Sequence, residues 1–333
     1  MVRAQDIADA VGVSKTTVSY VFSPEREHLI SKETRTRVRD AARRLGYRPS
    51  IIGKALSRQC SYNVALVLPA HCARNMSHHL LSIFHGVTQC AEASEYNVSV
   101  FFGAGKRLFD RLAAHRQDGV LVIGVAARRD LLDQLSTLGL PLVVLNREYP
   151  VSSKVGCVRS DLKSWLHDAL DGLVRRGCRR ILFLNKSKTQ DAGRELAEPA
   201  RREAERLAAS GVRLETAEMD YDLYPQALRL LRRPLRHDGF LVNGGSGHRL
   251  LDAAQSLGLA LEHDFHFSGF DPLAGNLRAG DLWQQDSQGI GVQGWQLLQE
   301  MIAGRAQGRE VLLPVTAAGR PAPSAAFVPN FDL

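Results

Sequence analysis

AQDIADAVGVSKTTVSYVF, residues 4–22, reads as two short helices joined by a tight turn. Ile7, Ala8 and Val11 fall on one helical face, and Gly12 follows where a helix ends in the left-handed conformation that glycine adopts cheaply. Ser14 is then placed to cap a second helix, and Val18 and Val21 turn back toward Ile7 and Val11. The opposite face of that second helix carries Lys15, Thr16, Thr17, Ser19 and Tyr20, all able to hydrogen-bond and none suited to a core stripe. A helix-turn-helix, whose second helix enters the DNA major groove, accounts for that division of faces.

Charge supports the same expectation. The chain has 333 residues and a net charge of +8, of which residues 1–60 hold +6 from 12 Lys/Arg against six Asp/Glu. A basic head on a near-neutral body implies a polyanion-binding module attached to a part with another task. The sequence has no run of 18 apolar residues and no apolar leader at MVRAQDIADA, and its five cysteines form no CxxC pair. A soluble, cytoplasmic protein without a membrane partner is expected.

A third helix is expected from Lys32 to Leu45, capped by Ser31, with Val38, Ala41, Ala42 and Leu45 inward and Gly46 as its stop. A basic-apolar segment, PSIIGKALSR, follows. At this point the motifs QDIADAVGVSKTTVSYVF, ISKETRTRVRDAARRLGYRP and the segment ending in Ala55-Leu56 resemble the head and hinge of the lactose-repressor family of bacterial transcription regulators. The resemblance is dense over residues 4–58. It implies that Lys15, Thr16 and Tyr20 stand at base-reading positions, and Ser14, Thr17, Ser19, Ser31, Thr34 and Tyr47 are suited to DNA phosphates. It also implies a hinge helix that forms on the operator, with Leu56 beside Ala55 entering the minor groove. Gly53 stands there where the family usually has alanine, a change costing a helix about 1 kcal/mol.

The rest of the chain fits the family more loosely. NVALVLP, NVSVFF, DGVLVIG, LPLVVLN, RRILFLN, DGFLVN and FHFSGFD are short apolar runs separated by helical patterns, as in parallel α/β units. The expected architecture is an all-α helix-turn-helix head (1–48), a hinge (49–60) and an α/β body (61–333). The body comprises two doubly wound parallel-sheet subdomains, periplasmic-binding-protein-like by resemblance. The first is placed at about 61–159 plus 287–315 and the second at about 160–286 plus 316–333. Ligands of such sheets bind beyond the carboxyl ends of the strands. The loops there depart from the family: AHCARNMSHHLL follows the first run, Asn146-Arg147 replaces Asp-Arg, and NGG replaces Asn-Asp. Asp161, Gly269-Phe270-Asp271 and Gln285 do match.

The expected effector is a metabolite, a sugar or sugar derivative, held by Arg147, Asp161, Asn243, Asp271 and Gln285 with Trp283 or Phe270 alongside and His71 or His78 as further contacts. A body that senses no small molecule, with DNA affinity set by a protein partner or by dimer level, is the alternative. No metal, cofactor or catalytic residue is expected. His71, Cys72, His78, His79 and His85 follow no standard zinc spacing, and FFGAGKRL fails both phosphate-loop patterns. The sequence ends at FVPNFDL without a heptad tail, so the expectation is a homodimer reading a pseudo-palindromic double-stranded operator as a repressor.

Overall fold

The computed structural model describes residues 2–23, 26–48, 60–74, 76–94, 96–103, 106–114, 117–123, 129–187, 191–270 and 281–317. Two compact units divide the chain, Met1–Ser61 and Tyr62–Leu333.

In the first unit, α1 (Ala4–Val11), α2 (Lys15–Val21) and α3 (Lys32–Leu45) enclose a core of Ile7, Ala8, Val11, Val18, Val21, Val38, Ala41 and Ala42. Gly12 takes φ 73°, and its N–H bonds the carbonyl of Ala8. The Arg37 guanidinium donates to the Val11 carbonyl at 2.7 Å, so α3 also closes the free end of α1. Ser14 Oγ accepts from the Thr17 N–H at 3.0 Å and Ser31 Oγ from the Thr34 N–H at 3.3 Å. One expectation fails: Leu45 is 43% exposed. Gly46, at φ 67°, turns the chain so that Tyr47 meets Phe22, ring centroids 5.6 Å apart, and this pair packs at the edge of the core.

The second unit begins with β1 (Asn63–Leu68), α4 (His78–Glu92), β2 (Asn97–Phe102), α5 (Lys106–Ala114), β3 (Gly119–Ile123), α6 (Arg129–Ser136), β4 (Leu142–Leu145) and β5 (Val155–Ser160). It continues through α7 (Leu162–Arg175), β6 (Arg180–Asn185), α8 (Asp191–Glu195), α9 (Ala197–Ala208), β7 (Arg213–Glu218), α10 (Leu223–Leu230), β8 (Gly239–Val242) and α11 (Gly247–Ser256). Last come β9 (His266–Phe270), β10 (Asp281–Gln285), α12 (Ser287–Ile302), β11 (Glu310–Leu313) and β12 (Val315–Ala317). Among the described residues the strands form two six-stranded sheets, ordered β11-β5-β4-β3-β1-β2 and β12-β10-β9-β8-β6-β7. All pairings are parallel except that of β10 with β12.

Each sheet is covered on both faces, as near-continuous apolar strands require. On the first, Leu80, Ile83 and Val87 of α4 share a cluster with Ile290, Leu297 and Leu298 of α12, while Leu108, Leu112, Leu132 and Leu135 from α5 and α6 fill the other side. On the second, α7 and α9 contribute Trp165, Leu166, Leu173 and Leu207, and α10 and α11 contribute Leu223, Ala227, Leu250 and Ala253. The fold is therefore a small helical head followed by two doubly wound α/β subdomains.

Two features position what lies between the sheets. The chain crosses from one sheet to the other after β5, β10 and β11, and these crossings are tied together. Ser160 Oγ donates to Gln285 Oε1 at 3.0 Å, and the Asp161 N–H to the Leu313 carbonyl at 2.8 Å. Secondly, α4 and α12 meet at glycines: a Cβ on Gly86 would lie 2.2 Å from the Gln288 carbonyl oxygen, and one on Gly291 2.2 Å from that of Ile83. Backbone therefore packs on backbone at this crossing, which fixes where the first turns of both helices stand.

Candidate functional sites

The head presents the polar face that the sequence implies. Lys15, Thr16 and Ser19 are exposed, Thr17 and Tyr20 half-buried, and Val18 and Val21 hold α2 against the core. Ser14 and Thr17 share a 2.9 Å hydroxyl contact, as do Ser31 and Thr34, so these side chains order the starts of α2 and α3. Tyr47 is half-buried against Phe22. Sequence reasoning missed Arg26, whose guanidinium carbon stands 5.3 Å from the Tyr20 ring centroid, within cation–π range. Its signal was only its place six residues after Tyr20, between Glu25 and Glu27. Gly53, Ala55 and Leu56 lie outside the described residues.

In the body, the carboxyl ends of the two sheets carry a second polar group. Asn146 closes β4 with φ 58°, a left-handed conformation that asparagine tolerates, and its side chain hydrogen-bonds His79 near the start of α4. His79 Nδ1 also lies 2.6 Å from Ser287 Oγ at the start of α12. Burial pushes the imidazole pKa down to about 4, assisted by the charges of Lys186 and His78 against the Asn146 hydrogen bond, so the ring is neutral at pH 7.

Across the seam, β6 ends in Asn185 and Lys186 follows. Asn185 Nδ2 donates to the Gly193 carbonyl at 2.9 Å, and Asn243 Nδ2, at the end of β8, donates to Asn185 Oδ1 at 2.8 Å. Gly244 next to it leaves room for the lysine: a Cβ there would lie 3.3 Å from Lys186 Cε. The Lys186 charge contributes to lowering the His79 pKa, which puts the end of β6 in the neighbourhood of the start of α4.

The other residues singled out by sequence take varied places. Arg147 is buried, and its carbonyl accepts from Cys157 Sγ at 2.8 Å. Asp161 caps α7, accepting from the Ser164 N–H at 3.1 Å and hydroxyl at 2.7 Å. Gln285 accepts from Ser160, and Trp283 Nε1 donates to Ser268 Oγ at 3.0 Å. Phe270 is buried and stacked on Trp165, centroids 4.4 Å apart, so it belongs to the core and offers no open face. His78 is exposed. Asp271 and the side chain of His71 lie outside the described residues. His79, Asn146 and Lys186 went unassigned in the sequence reading, because each is individually ordinary and only the fold brings them together.

Beside the seam, Arg159 of β5 reaches Glu195 of α8, Glu310 of β11 at 2.9 Å and Glu148 at 3.9 Å. Burial pushes the Glu195 carboxyl pKa up, against the pull of Arg159. This ion pair joins the first subdomain to the second. Among the described residues there is no grouping of three or more His, Cys, Asp or Glu able to hold a metal ion, and no helix long and apolar enough to cross a membrane. Cys72, Cys90, Cys157 and Cys178 are buried thiols in no disulfide.

Residues 4–50 match the family described as "Bacterial regulatory proteins, lacI family". The chain is 28% identical over 195 residues to the HTH-type transcriptional regulator MalR of Streptococcus pneumoniae, covering 56% of this chain and 58% of the relative. It is 23% identical over 288 residues to catabolite control protein A of Priestia megaterium, covering 81% and 82%. The match to MalR thus spans little over half of that relative's length. Among solved structures, the lac repressor dimer bound to operator and the anti-inducer ONPF superposes with TM-score 0.75 at 19% identity, covering 96% of this chain and 98% of that one. A transcriptional regulator CelR–cellobiose complex gives 0.66 at 22% identity, covering 97% and 100%. Residues 4–50 thus match a lacI-family DNA-binding domain, the body has the fold of these two solved structures, and MalR and CelR are named as transcriptional regulators.

Proposed function

We propose that this protein is a sequence-specific DNA-binding transcription regulator, a cytoplasmic repressor whose operator affinity is set by a small metabolite bound between the two body subdomains. The observation that carries this reading is the face of α2. Lys15, Thr16 and Ser19 are exposed on a helix pinned from behind by Val18 and Val21, within the segment that matches the lacI family. Lys15, Thr16 and Tyr20 read bases, and Ser14, Thr17, Ser19, Ser31, Thr34 and Tyr47 hold phosphates. The protein acts as a homodimer on a pseudo-palindromic operator. Support for a dimer comes from Val100 and Phe102 on edge strand β2 and Leu81 on α4, apolar side chains that are 37%, 45% and 51% exposed.

The effector reading places a sugar or sugar derivative beside Arg147, Asn243, Gln285 and Trp283, with Asp161, Asp271, His71 and His78 as the remaining candidates. One observation favours the alternative of a body that senses no metabolite: Asp161, Asn243 and Gln285 already spend side-chain atoms on Ser164, Asn185 and Ser160. Selection from randomised duplex DNA with the full chain tests the central reading. An enriched motif with two inverted half-sites is expected, and recovery of unselected sequence would contradict it.

A further inference from the structure

Lys186 has a chemistry that the fold alone does not require. It follows β6 directly, at the carboxyl edge where parallel sheets hold ligands, and protein atoms crowd it while part of its surface stays reachable. Burial pulls its ammonium pKa down, and among the described residues no carboxylate pairs with it. Its neighbours are the amides of Asn185 and Asn243, already committed to each other and to the Gly193 carbonyl, with Gly244 giving the stem room. Facing it is His79, joined to Asn146 and Ser287, with the exposed His78 next to it in sequence.

A cation buried without a partner costs several kcal/mol, and the ordinary remedies are a carboxylate neighbour or a bound anion. Among the described residues the first is missing. The hydrogen-bonding groups around Lys186 are neutral amides, a hydroxyl and a neutral imidazole, which suit an oxyanion that also carries hydroxyls.

We propose that the effector is an anionic sugar, a sugar phosphate or sugar acid, whose charged group is held by Lys186 opposite the His79–Asn146 pair. This deepens the effector reading given above and rests on it. Lys186 supplies the charge, which an ammonium does for phosphate and carboxylate alike. The Asn146 amide and the His79 ring orient the ligand from the first subdomain, so the bound anion joins the strand ends of both sheets.

The test is the thermal transition of the full chain, wild type against Lys186→Met and Lys186→Arg. The probes are inorganic phosphate, glucose 6-phosphate, glucuronate, glucose and cellobiose. Among the described residues Lys186→Met strands no partner, so it is expected to fold. Phosphate also stabilises proteins in general by exclusion from their surfaces, an effect equal in all three proteins and subtracted by the comparison. At saturation at least one anionic probe is expected to raise the wild-type Tm by several degrees. Lys186→Met should weaken that probe at least tenfold by calorimetry, and Lys186→Arg should retain most of the binding. Glucose 6-phosphate against glucuronate decides which anion is preferred. Equal shifts in wild type and Lys186→Met, or no shift with any anion, overturn the proposal. If glucose or cellobiose instead shifts all three equally, the cleft remains an effector site and only the anionic claim falls. Operator binding by the same preparation shows whether the DNA-binding reading stands independently.

Discussion

Ser160 Oγ donates to Gln285 Oε1 at 3.0 Å, and each residue is the last of a strand from which the chain crosses to the other subdomain. The bond therefore ties together two of the connections between the subdomains. Ser160→Ala leaves the Gln285 amide without that donor and should cost about 1 kcal/mol of body stability by denaturant titration. It should also change how strongly a ligand shifts operator affinity. An unaltered ligand response would mean that the crossings do not carry the coupling.

Packing of α4 on α12 sets the site from behind. Gly291→Ala drives a methyl group into the Ile83 carbonyl, and backbone has nowhere to go, so we expect a loss of about 2 kcal/mol or more. Because α4 carries His79 and α12 carries Ser287, the same variant should also disturb the 2.6 Å contact between them. Urea unfolding of the variant beside wild type measures the first effect, and the imidazole NMR shifts report the second.

His79 gives the body a pH dependence of defined sign. Its folded pKa, about 4, lies below the ordinary imidazole value of about 6.5, so the unfolded chain takes up the proton first. Stability is full above pH 6.5 and falls as the pH drops toward 4, by at most about 3 kcal/mol. Unfolding free energies of wild type and His79→Asn across that window should diverge in slope. Parallel curves would show that the ring titrates normally.

On the head, Tyr20 offers one hydroxyl and a ring, with Arg26 over its face. Tyr20→Arg provides a bidentate donor for guanine and should change the preferred base at one position in each half-site by about 1–3 kcal/mol. Selections that return one motif for both proteins would remove Tyr20 from the reading set. Arg35→Ala, a phosphate or surface charge on this account, should instead weaken binding evenly and flatten its salt dependence.

Much of the architecture was legible because local chemistry and tertiary packing agree. Gly12 and Ser14 mark a turn that no other residues would make as cheaply, and the apolar runs recovered β1, β2, β3, β4, β6, β8 and β9. Strand β5 escaped because Arg159 and Ser160 are polar yet buried, their partners lying far along the chain in Glu195, Glu310 and Gln285. Edge strand β7, RLETAE, escaped because only one side of it meets the core. Leu45 looked inward by periodicity, yet Gly46 ends the helix there and Tyr47 packs with Phe22 instead. The cleft was the least legible. His78 and His79 are adjacent and alike in sequence, and only the rotation of α4 decides that the second is enclosed. Lys186 carries no motif at all; what distinguishes it is that no carboxylate among the described residues pairs with it.

The most direct test of the whole account is the affinity of the full chain for its selected operator against a scrambled duplex of equal length, measured over a range of salt concentrations. The account predicts binding at least about a thousandfold tighter to the operator, most of that preference lost in Thr16→Ala, and a log–log salt slope of several phosphate contacts for both duplexes. Equal affinity for the two duplexes, or a preference untouched by Thr16→Ala and Lys15→Ala together, would contradict it.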